Sequence, residues 1–173
     1  MVTSRYVELV TERPVERFLN RMFRRETPLR SLQIVTPFIS PMSDTPYPLS
    51  NLRKRVEDQR IPLHLITRDP SEDYQREAMA ELLGSPWIEV RYNPSIHAKV
   101  YLATAYREAE SFALFGSSNL TSKSIYSNIE AGMLVYGIGP GREILQELHY
   151  WVSVRLRTLK ESRLIQPIRG KRR

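Results

Sequence analysis

The chain has 173 residues and a formal net charge of +7 at pH 7, with 41% hydrophobic and 26% charged residues. This composition is typical of one globular domain, and no apolar run is long enough for a membrane span or a secretory signal. The absence of cysteine excludes disulfide bonds and cysteine-based zinc sites, and the three histidines lack metal-ligand spacing. We therefore expect a cytoplasmic protein with no metal and no cofactor.

The first predicted element is an amphipathic helix over residues 14–25, where apolar residues recur at helical spacing. A buried strand over residues 32–39, interrupted by Pro37, leads into a proline-rich connection. A short helix is predicted over residues 49–59. Residues 61–67 are apolar nearly throughout, which is typical of an interior strand covered on both faces.

The second half of the chain continues this alternation. Asp69-Pro70-Ser71-Glu72 is typical of a helix start, with a capping acid before proline, and the helix is predicted to end at Leu83. Strands are predicted over residues 87–92, 96–104, 112–115 and 131–136, with a short helical segment after residue 119 and a long amphipathic helix over residues 141–159. The alternation predicts an α/β fold, with a mixed β-sheet and helices on both faces.

Positive charge is concentrated at the C-terminus. Between residue 157 and the last residue, seven basic residues stand against the single acid Glu161, so this segment carries nearly all of the net charge. A basic segment suits a polyanion, because neutralised phosphates release their condensed counterions. The alternative is a solubilising tail with no partner. We predict one domain over residues 1–160 and a basic tail over residues 161–173.

Two short motifs carry the chemistry. His97 and Lys99 stand two apart in a predicted strand, so their side chains share one face. An imidazole can attack phosphorus or move a proton, and an ammonium can hold a phosphate oxygen. Gly116-Ser117-Ser118-Asn119 ends the next strand with a polar turn that could hold the same anion. Alone, the first motif is usually a solvated strand face and the second an ordinary turn. Together with Glu130 they indicate phosphodiester chemistry without a metal.

At these residues the chain resembles the phospholipase D superfamily, whose signature is H-x-K, a variable gap and G-S-x-N. It is most similar to the bacterial nucleases and restriction-type nucleases that carry a single copy of the motif, and Asn128-Ile129-Glu130 also fits that subgroup. The likeness covers residues 30–137 in the order of elements. One position departs, because the aspartate that usually completes the H-x-K motif is Thr104 here. That departure favours the alternative of a degenerate member.

The resemblance implies a homodimeric active site, because one His–Lys pair cannot easily supply both a nucleophile and an acid. His97 of one subunit would attack phosphorus to give a phosphohistidine, and His97 of the other would protonate the leaving oxygen and later activate water. Lys99 and Asn119 would bind the phosphoryl oxygens, with Ser117 hydrogen-bonding nearby. Glu130 would orient His97; its alternative is a surface acid at the start of a strand.

Four further residues are candidates for a structural role, and for Tyr101 a role in the site is an equal alternative. Tyr101 shares the predicted face of Lys99, so it either lines the cleft and binds substrate or covers its neighbours. His64 is expected to be a hydrogen-bonded core histidine, and His149 to pack at a helix surface or a dimer contact. Ser118 is expected to be a spacer.

The leading functional hypothesis is a metal-independent nuclease acting on DNA, or on RNA. The second is a catalytically degenerate module that binds nucleic acid or supports assembly in a restriction, defence or DNA-processing complex. A third, phospholipid hydrolysis, is disfavoured because the sequence shows no aromatic-rich membrane-docking helix. The resemblance also suggests a DNA-translocating ATPase or a restriction-type partner.

Overall fold

Eight strands form one mixed β-sheet in the computed structural model, which describes residues 5–24 and 26–170. In chain order they are β1 Val7–Val10, β2 Leu29–Val35, β3 Leu63–Thr67, β4 Ile88–Tyr92, β5 Val100–Ala105, β6 Phe112–Gly116, β7 Gly132–Tyr136 and β8 Arg163–Gln166. Their order across the sheet is β1-β7-β6-β5-β2-β3-β4-β8. β2, β3 and β4 are mutually parallel, and every other neighbouring pair is antiparallel. The predicted α/β fold with a mixed sheet is confirmed.

Helices cover both faces of this sheet. They are α1 Pro14–Phe23, α2 Leu49–Asp58, α3 Asp73–Leu82, α4 Ser122–Tyr126 and α5 Gly141–Tyr150, and a π-helical segment, Trp151–Leu156, continues α5. The apolar sides of α1 to α4 form the larger core with one face of the sheet. α5 and the π-helical segment cover the other face, where Leu145 and Val152 are buried. Alternate residues of each strand therefore enter two different cores.

Two helices have boundaries that differ from the predicted ones, and side-chain contacts accompany both differences. α3 begins at Asp73 with Glu72 as its N-cap, in a capping box with Gln75, and not at Asp69. Asp69 instead forms an ion pair with Arg163. The long C-terminal helix is α-helical only to Tyr150, and its π-helical continuation carries Ser153, whose hydroxyl accepts a hydrogen bond from the buried Gln33 amide. The last predicted residue of the first helix, Arg25, lies outside the described residues.

The strand predicted to carry the H-x-K motif begins later than expected. β5 starts at Val100, and residues 96–99 precede it outside the ladder. The reason is the turn before them: the Asn93 side chain accepts a hydrogen bond from the Ser95 backbone N–H (2.9 Å), and the Ile96 N–H donates to the Asn93 carbonyl (3.3 Å). His97 therefore lies in the segment leading into β5.

The segment predicted as a tail adds an edge strand to the domain. β8 pairs with β4, and the Gln166 side chain binds the Gly84 N–H and the Ile88 carbonyl, both at 2.6 Å. The Gly170 N–H donates to the Pro86 carbonyl at 2.7 Å. Four-residue strands such as β1 and β8 show too little alternation to be recognised by periodicity. The tail prediction for residues 171–173 lies outside the described residues.

A buried carboxylate joins the C-terminal helix to the sheet. Glu89, only 6% exposed, contacts Arg91 at 3.0 Å and Arg157 at 2.8 Å, and the Nδ1 atom of His64 lies 3.5 Å away. Burial alone would raise its pKa, but the contact with His64, the hydrogen bond from Arg91 and the positive charge of Arg157 outweigh burial and lower the pKa to about 2. His64 is half-buried in this cluster, and the hydrogen bond expected of it is absent, because its Nδ1 atom has no hydrogen-bond partner among the described residues.

We predict that Glu89→Gln destabilises the protein by about 3 kcal/mol, the scale of the lowered pKa, because it leaves the partly buried guanidinium groups of Arg91 and Arg157 uncompensated. Since the folded-state pKa is depressed from 4.5 to about 2, the wild-type contribution is complete above the unfolded value and is lost as pH falls towards 2. Urea unfolding at pH 7 and at pH 3 measures this. An equal free-energy difference between wild type and variant at both pH values would contradict it. Glu77→Gln on exposed α3 is the control.

Candidate active site at the carboxyl end of the sheet

The sheet topology gathers the predicted site residues at one place. The parallel strands β2, β3 and β4 all finish at one end, which we call the carboxyl end of the sheet. β5 begins there because Val100 pairs with Val35, and β6 finishes there because Phe115 pairs with Val100. β7 also begins there, with Gly132 opposite Gly116. His97, Lys99, Ser117, Asn119 and Glu130 all flank these strand ends, so one end of the sheet carries all five.

His97 is an exposed member of the group. Its side chain is exposed and has no hydrogen bond to any described residue, while the backbone on either side of it is held. The Nε atom of Arg68 donates to the Ile96 carbonyl at 2.7 Å, and the Nζ atom of Lys99 donates to the carbonyl of His97 itself at 2.8 Å. Buried Ile96 anchors the segment in the core beneath α5. A free imidazole on a fixed backbone suits a nucleophile or a proton carrier.

Lys99 is half-buried beside His97. Burial lowers the pKa of its ammonium group, the negative charge of Glu130 raises it, and the positive charge of Arg68 lowers it again, with a net lowering. Two cations, Lys99 and Arg68, thus lie near one carboxylate. The local charge favours a bound anion such as a phosphodiester.

The Gly116–Asn119 turn is packed tightly against the start of β7. A Cβ atom on Gly116 would lie 2.3 Å from the carbonyl oxygen of Ala131 and 2.6 Å from the Cα atom of Gly132. Both contacts are with backbone, so no side chain could move aside to accommodate them. Glycine at this position therefore permits the close approach that brings Ser117 beside Glu130.

Glu130 organises this turn. Its carboxylate is 8% exposed and accepts hydrogen bonds from Ser117 Oγ, from Ser124 Oγ at 3.1 Å and from Asn128 Nδ2 at 3.0 Å. No hydrogen bond joins it to His97 within the described part of the chain. The predicted orienting contact is therefore absent from this arrangement, because the carboxylate oxygens are already used by Ser117, Ser124 and Asn128. Glu130 therefore contacts the turn directly, and its negative charge raises the pKa of Lys99.

Asn119 and Ser118 complete the turn in different ways. The Asn119 side-chain oxygen lies 3.4 Å from Thr36 Oγ1, at the end of β2, and its backbone N–H donates to Ser124 Oγ at 3.1 Å. Its amide group is half-buried, so part of it remains accessible to a ligand. Ser118 is 2% exposed and turned inwards, as expected of a spacer.

Tyr101 does not line a cleft, and its predicted substrate contact is wrong. The side chain is fully buried, with its ring 5.5 Å from that of Phe18 on α1, and its hydroxyl donates to the Ser118 carbonyl at 2.8 Å. The alternation predicted for this segment holds, because Ile96, Ala98 and Val100 all pack in the core beneath α5. Tyr101 lies on the other side of the sheet, in the larger core, where α1 covers it. Tyr101 therefore supports the Gly116–Asn119 turn from below.

We predict that Tyr101→Phe costs about 1–3 kcal/mol of folding stability, because it leaves the buried Ser118 carbonyl without this donor. Catalytic turnover should fall as the turn loosens, while the affinity for substrate changes little. Thermal unfolding and steady-state kinetics separate the two roles. A raised KM at unchanged stability would instead place the Tyr101 hydroxyl in contact with substrate.

Arg68 is the site residue that the sequence analysis missed. It follows β3 directly, so the parallel strands bring it to the carboxyl end of the sheet. Its guanidinium group holds the Ile96 carbonyl and lies 5.6 Å from the centre of the Phe38 ring. A cation immediately after a buried parallel strand was the available signal, since such positions gather at one end of a sheet.

Two other properties of the described residues bear on the site. Within residues 5–24 and 26–170, no three His, Cys, Asp or Glu side chains form a group that could hold a metal ion. None of the helices in these ranges is both long and apolar enough to cross a membrane. His149 lies on α5 beside Thr104, at the other end of β5, and lines a separate cleft of about 300 Å³.

The fold is shared with structures of low sequence identity. Nuc from Salmonella typhimurium, a phospholipase D family member, is 13% identical with a TM-score of 0.62, covering 93% of this chain and 99% of that chain. NucT from Helicobacter pylori is also 13% identical, with a TM-score of 0.65 and coverage of 92% and 98%. TrmBL2, an archaeal chromatin protein with a novel mode of DNA binding, is 8% identical, with a TM-score of 0.58 and coverage of 92% and 56%.

Comparison with curated proteins gives no significant match. Residues 26–153, however, match the family described as "Cardiolipin synthase, PLD-like domain", where PLD denotes phospholipase D. That match covers most of the chain and includes every residue of the site above. The low identities of the solved structures show the common fold alone, and the nuclease subgroup stays a prediction. The family match, on a fold that places the H-x-K and G-S-S-N motifs together, shows that this chain belongs to the PLD-like domain family.

Proposed function

We propose that this protein is a metal-independent nuclease that cleaves DNA through a phosphohistidine intermediate. The observation that carries the proposal is the exposed, unbonded His97 ring beside Lys99 and Asn119 at one end of the sheet. These groups can supply a nucleophile and charge stabilisation for phosphoryl transfer. The similarity of the fold to Nuc and NucT, and to the DNA-binding TrmBL2, is consistent with a nucleic-acid substrate.

In the proposed first step, one ring nitrogen of His97 attacks phosphorus, and the phosphorus–oxygen bond to the leaving nucleotide breaks. His97 of the partner subunit donates its proton to that oxygen. In the second step, water attacks the phosphohistidine and gives a proton to the now neutral His97 of the partner subunit. The phosphorus–nitrogen bond breaks, a phosphate monoester leaves, and both histidines return to their starting states.

The cations at the site would stabilise charge that develops on the phosphoryl oxygens. Lys99 is a half-buried donor next to His97, and Asn119 presents a half-buried amide from the turn after β6. Arg68 holds the His97 segment through Ile96 and adds positive charge beside Lys99. Ser117 and Glu130 hold the turn that carries Asn119, so we assign them a positioning role.

We infer a homodimer, because each chain supplies one H-x-K motif and the mechanism uses two histidines. An exposed apolar row supports a contact close to the site. Leu9, 69% exposed, pairs with Met133, which pairs with Phe115, the residue immediately before Gly116. The fully exposed Ile129 adjoins Glu130. Apolar side chains displayed in this way favour burial against another protein surface.

Mixed dimers test this arrangement. If both histidines of one site are required, heterodimers of wild type and His97→Ala are inactive, and activity in co-expressed mixtures falls with the square of the wild-type fraction. Sedimentation of the same samples measures the dimer. A linear fall in activity, or an active monomer, would contradict the shared site. The control is a mixture of wild type with Lys160→Ala, which is altered at an exposed position after α5. The activity of this mixture should not fall as the wild-type fraction falls.

The function itself is tested by incubating purified protein with labelled DNA and RNA in excess EDTA, alongside vesicles that contain phosphatidylglycerol. Cleavage of nucleic acid that persists in EDTA supports the proposal. Release of lipid products without nuclease activity would assign the site to phospholipids, the chemistry named in the family description.

Binding of DNA without cleavage would favour the degenerate-module alternative. The replacement of the motif aspartate by Thr104 is the observation behind that alternative. The expectation of a DNA-translocating ATPase or restriction-type partner rests on the sequence resemblance alone.

A further inference from the structure

A second recess adjoins the proposed active site on the side of the G-S-S-N turn. It is a cleft of about 360 Å³, and Asn119 belongs both to its wall and to the site. Two aromatic residues line it, Phe38 after β2 and Tyr74 in the first turn of α3. Lys123 and Asn128 also line this space, which we call the aromatic cleft. None of its aromatic residues is used by the mechanism above.

The Phe38 ring is held in place between the cleft and the site. Thr36 Oγ1 donates to the Phe38 carbonyl at 3.0 Å, which fixes the backbone where β2 ends. On the other side, the guanidinium group of Arg68 lies 5.6 Å from the ring centre. Arg68 also holds the segment that carries His97. The ring is therefore fixed relative to the reacting histidine and is not a loosely attached surface side chain.

Tyr74 supplies a second, more accessible ring. It is 42% exposed and stands on α3, whose N-terminus is fixed by the capping box of Glu72 and Gln75. Among the remaining residues of the wall, Lys123 is an exposed cation, and Asn119 and Asn128 carry amides. Aromatic rings, amides and a cation are the groups that bind the faces, the edges and the flanking phosphates of unpaired bases.

We propose that the aromatic cleft is a base-binding subsite, which receives a base adjoining the phosphate at His97 and selects single-stranded nucleic acid. This rests on the proposed function, because the site must hold a nucleic-acid phosphate. A base reaches the rings of Phe38 and Tyr74 only when it is out of the duplex stack, since paired bases have both faces covered. The shared residue Asn119 makes the cleft continuous with the site, so the occupant belongs to the same strand as the scissile phosphate.

The test compares three probes of equal length with the full-length His97→Ala protein: a single-stranded oligonucleotide, the same strand with abasic residues, and its duplex. Fluorescence anisotropy should show the tightest binding to the single strand with bases. Tyr74→Ala should weaken that binding by about fivefold or more, because one base–aromatic stack is worth at least ~1 kcal/mol. It should leave binding of the abasic strand unchanged.

Tyr106→Ala is the matched control, because Tyr106 is 64% exposed and borders the separate cleft of Thr104 and His149. Phe38→Leu, checked by thermal unfolding, should act in the same direction as Tyr74→Ala. Equal affinity for normal and abasic strands, or equal effects of Tyr74→Ala and Tyr106→Ala, would overturn the proposal. So would a Tyr74→Ala effect confined to phosphatidylglycerol vesicles.

The outcomes also separate this inference from the proposed function. If wild type and the Tyr74→Ala variant both cleave DNA with the same KM, the nuclease assignment stands and the subsite fails. If binding depends on bases but wild type never cleaves, the subsite stands and the nuclease assignment fails. In the first case the strand would contact the protein through its backbone alone.

Discussion

His97→Ala is expected to abolish cleavage while DNA binding is kept. The same residue serves as nucleophile in one subunit and as proton donor in the other, so one substitution removes both roles from every site of the dimer. The exposed ring makes no hydrogen bond to a described residue, and its removal should leave the fold intact. Cleavage assays, DNA-binding isotherms and thermal unfolding of the variant measure the three consequences.

His149→Ala is the matched control, because His149 lies at the other end of β5, on α5, and takes no part in the proposed reaction. Acid quenching of the wild type after a short incubation should also trap a covalent adduct between DNA and His97, found by peptide mass mapping. Cleavage by His97→Ala at the wild-type rate, or an absolute requirement for added metal ions, would remove the phosphohistidine route. The degenerate-module alternative would then replace it if binding remained.

Lys99→Ala and Asn119→Ala are each expected to slow cleavage by about 10²- to 10³-fold, the scale for losing one preorganised donor to a developing negative charge. Lys99 should have the additional effect of releasing the His97 carbonyl, which its ammonium group holds at 2.8 Å. Lys99→Met keeps an unbranched apolar stem of similar length and separates loss of charge from loss of packing.

The measurement is single-turnover cleavage at saturating DNA, so that weakened binding does not enter the rate. Lys160→Ala, at an exposed position beyond the π-helical segment, controls for loss of one positive charge. If both site variants change only the DNA concentration needed for saturation, Lys99 and Asn119 bind the ground state and do not stabilise the transition state.

Much of the site could be predicted from the sequence because its chemistry is local. His97 and Lys99 stand two residues apart, and Gly116 to Asn119 form one continuous turn, so their residue types and spacing alone indicated anion chemistry. The alternation of strands and helices was likewise sufficient for the α/β fold, since hydrophobic periodicity is a property of each segment. The family resemblance at these same residues agrees with the match over residues 26–153.

Which residues of the site contact one another was decided only by the tertiary structure. Glu130 was assigned to His97, but its carboxylate instead accepts hydrogen bonds from Ser117, Ser124 and Asn128 once the turn packs against β7. Tyr101 was placed with Lys99 by strand alternation, and the alternation holds, but Phe18 of α1 packs over Tyr101 and buries it. Spacing along a chain cannot specify such contacts, since they depend on which helix or turn packs over each position of the sheet.

The same limit explains the residues that sequence reasoning overlooked. Arg68 reaches the site because parallel β2 and β3 end at the same side of the sheet. Phe38 and Tyr74 line one cleft only because α3 begins beside that end. The basic C-terminal segment became an edge strand, and its docking places Arg169 beside Pro86, at the end of β4 away from His97. Residue types along the chain determined which chemistry was available, whereas strand order and direction determined which residues share the site.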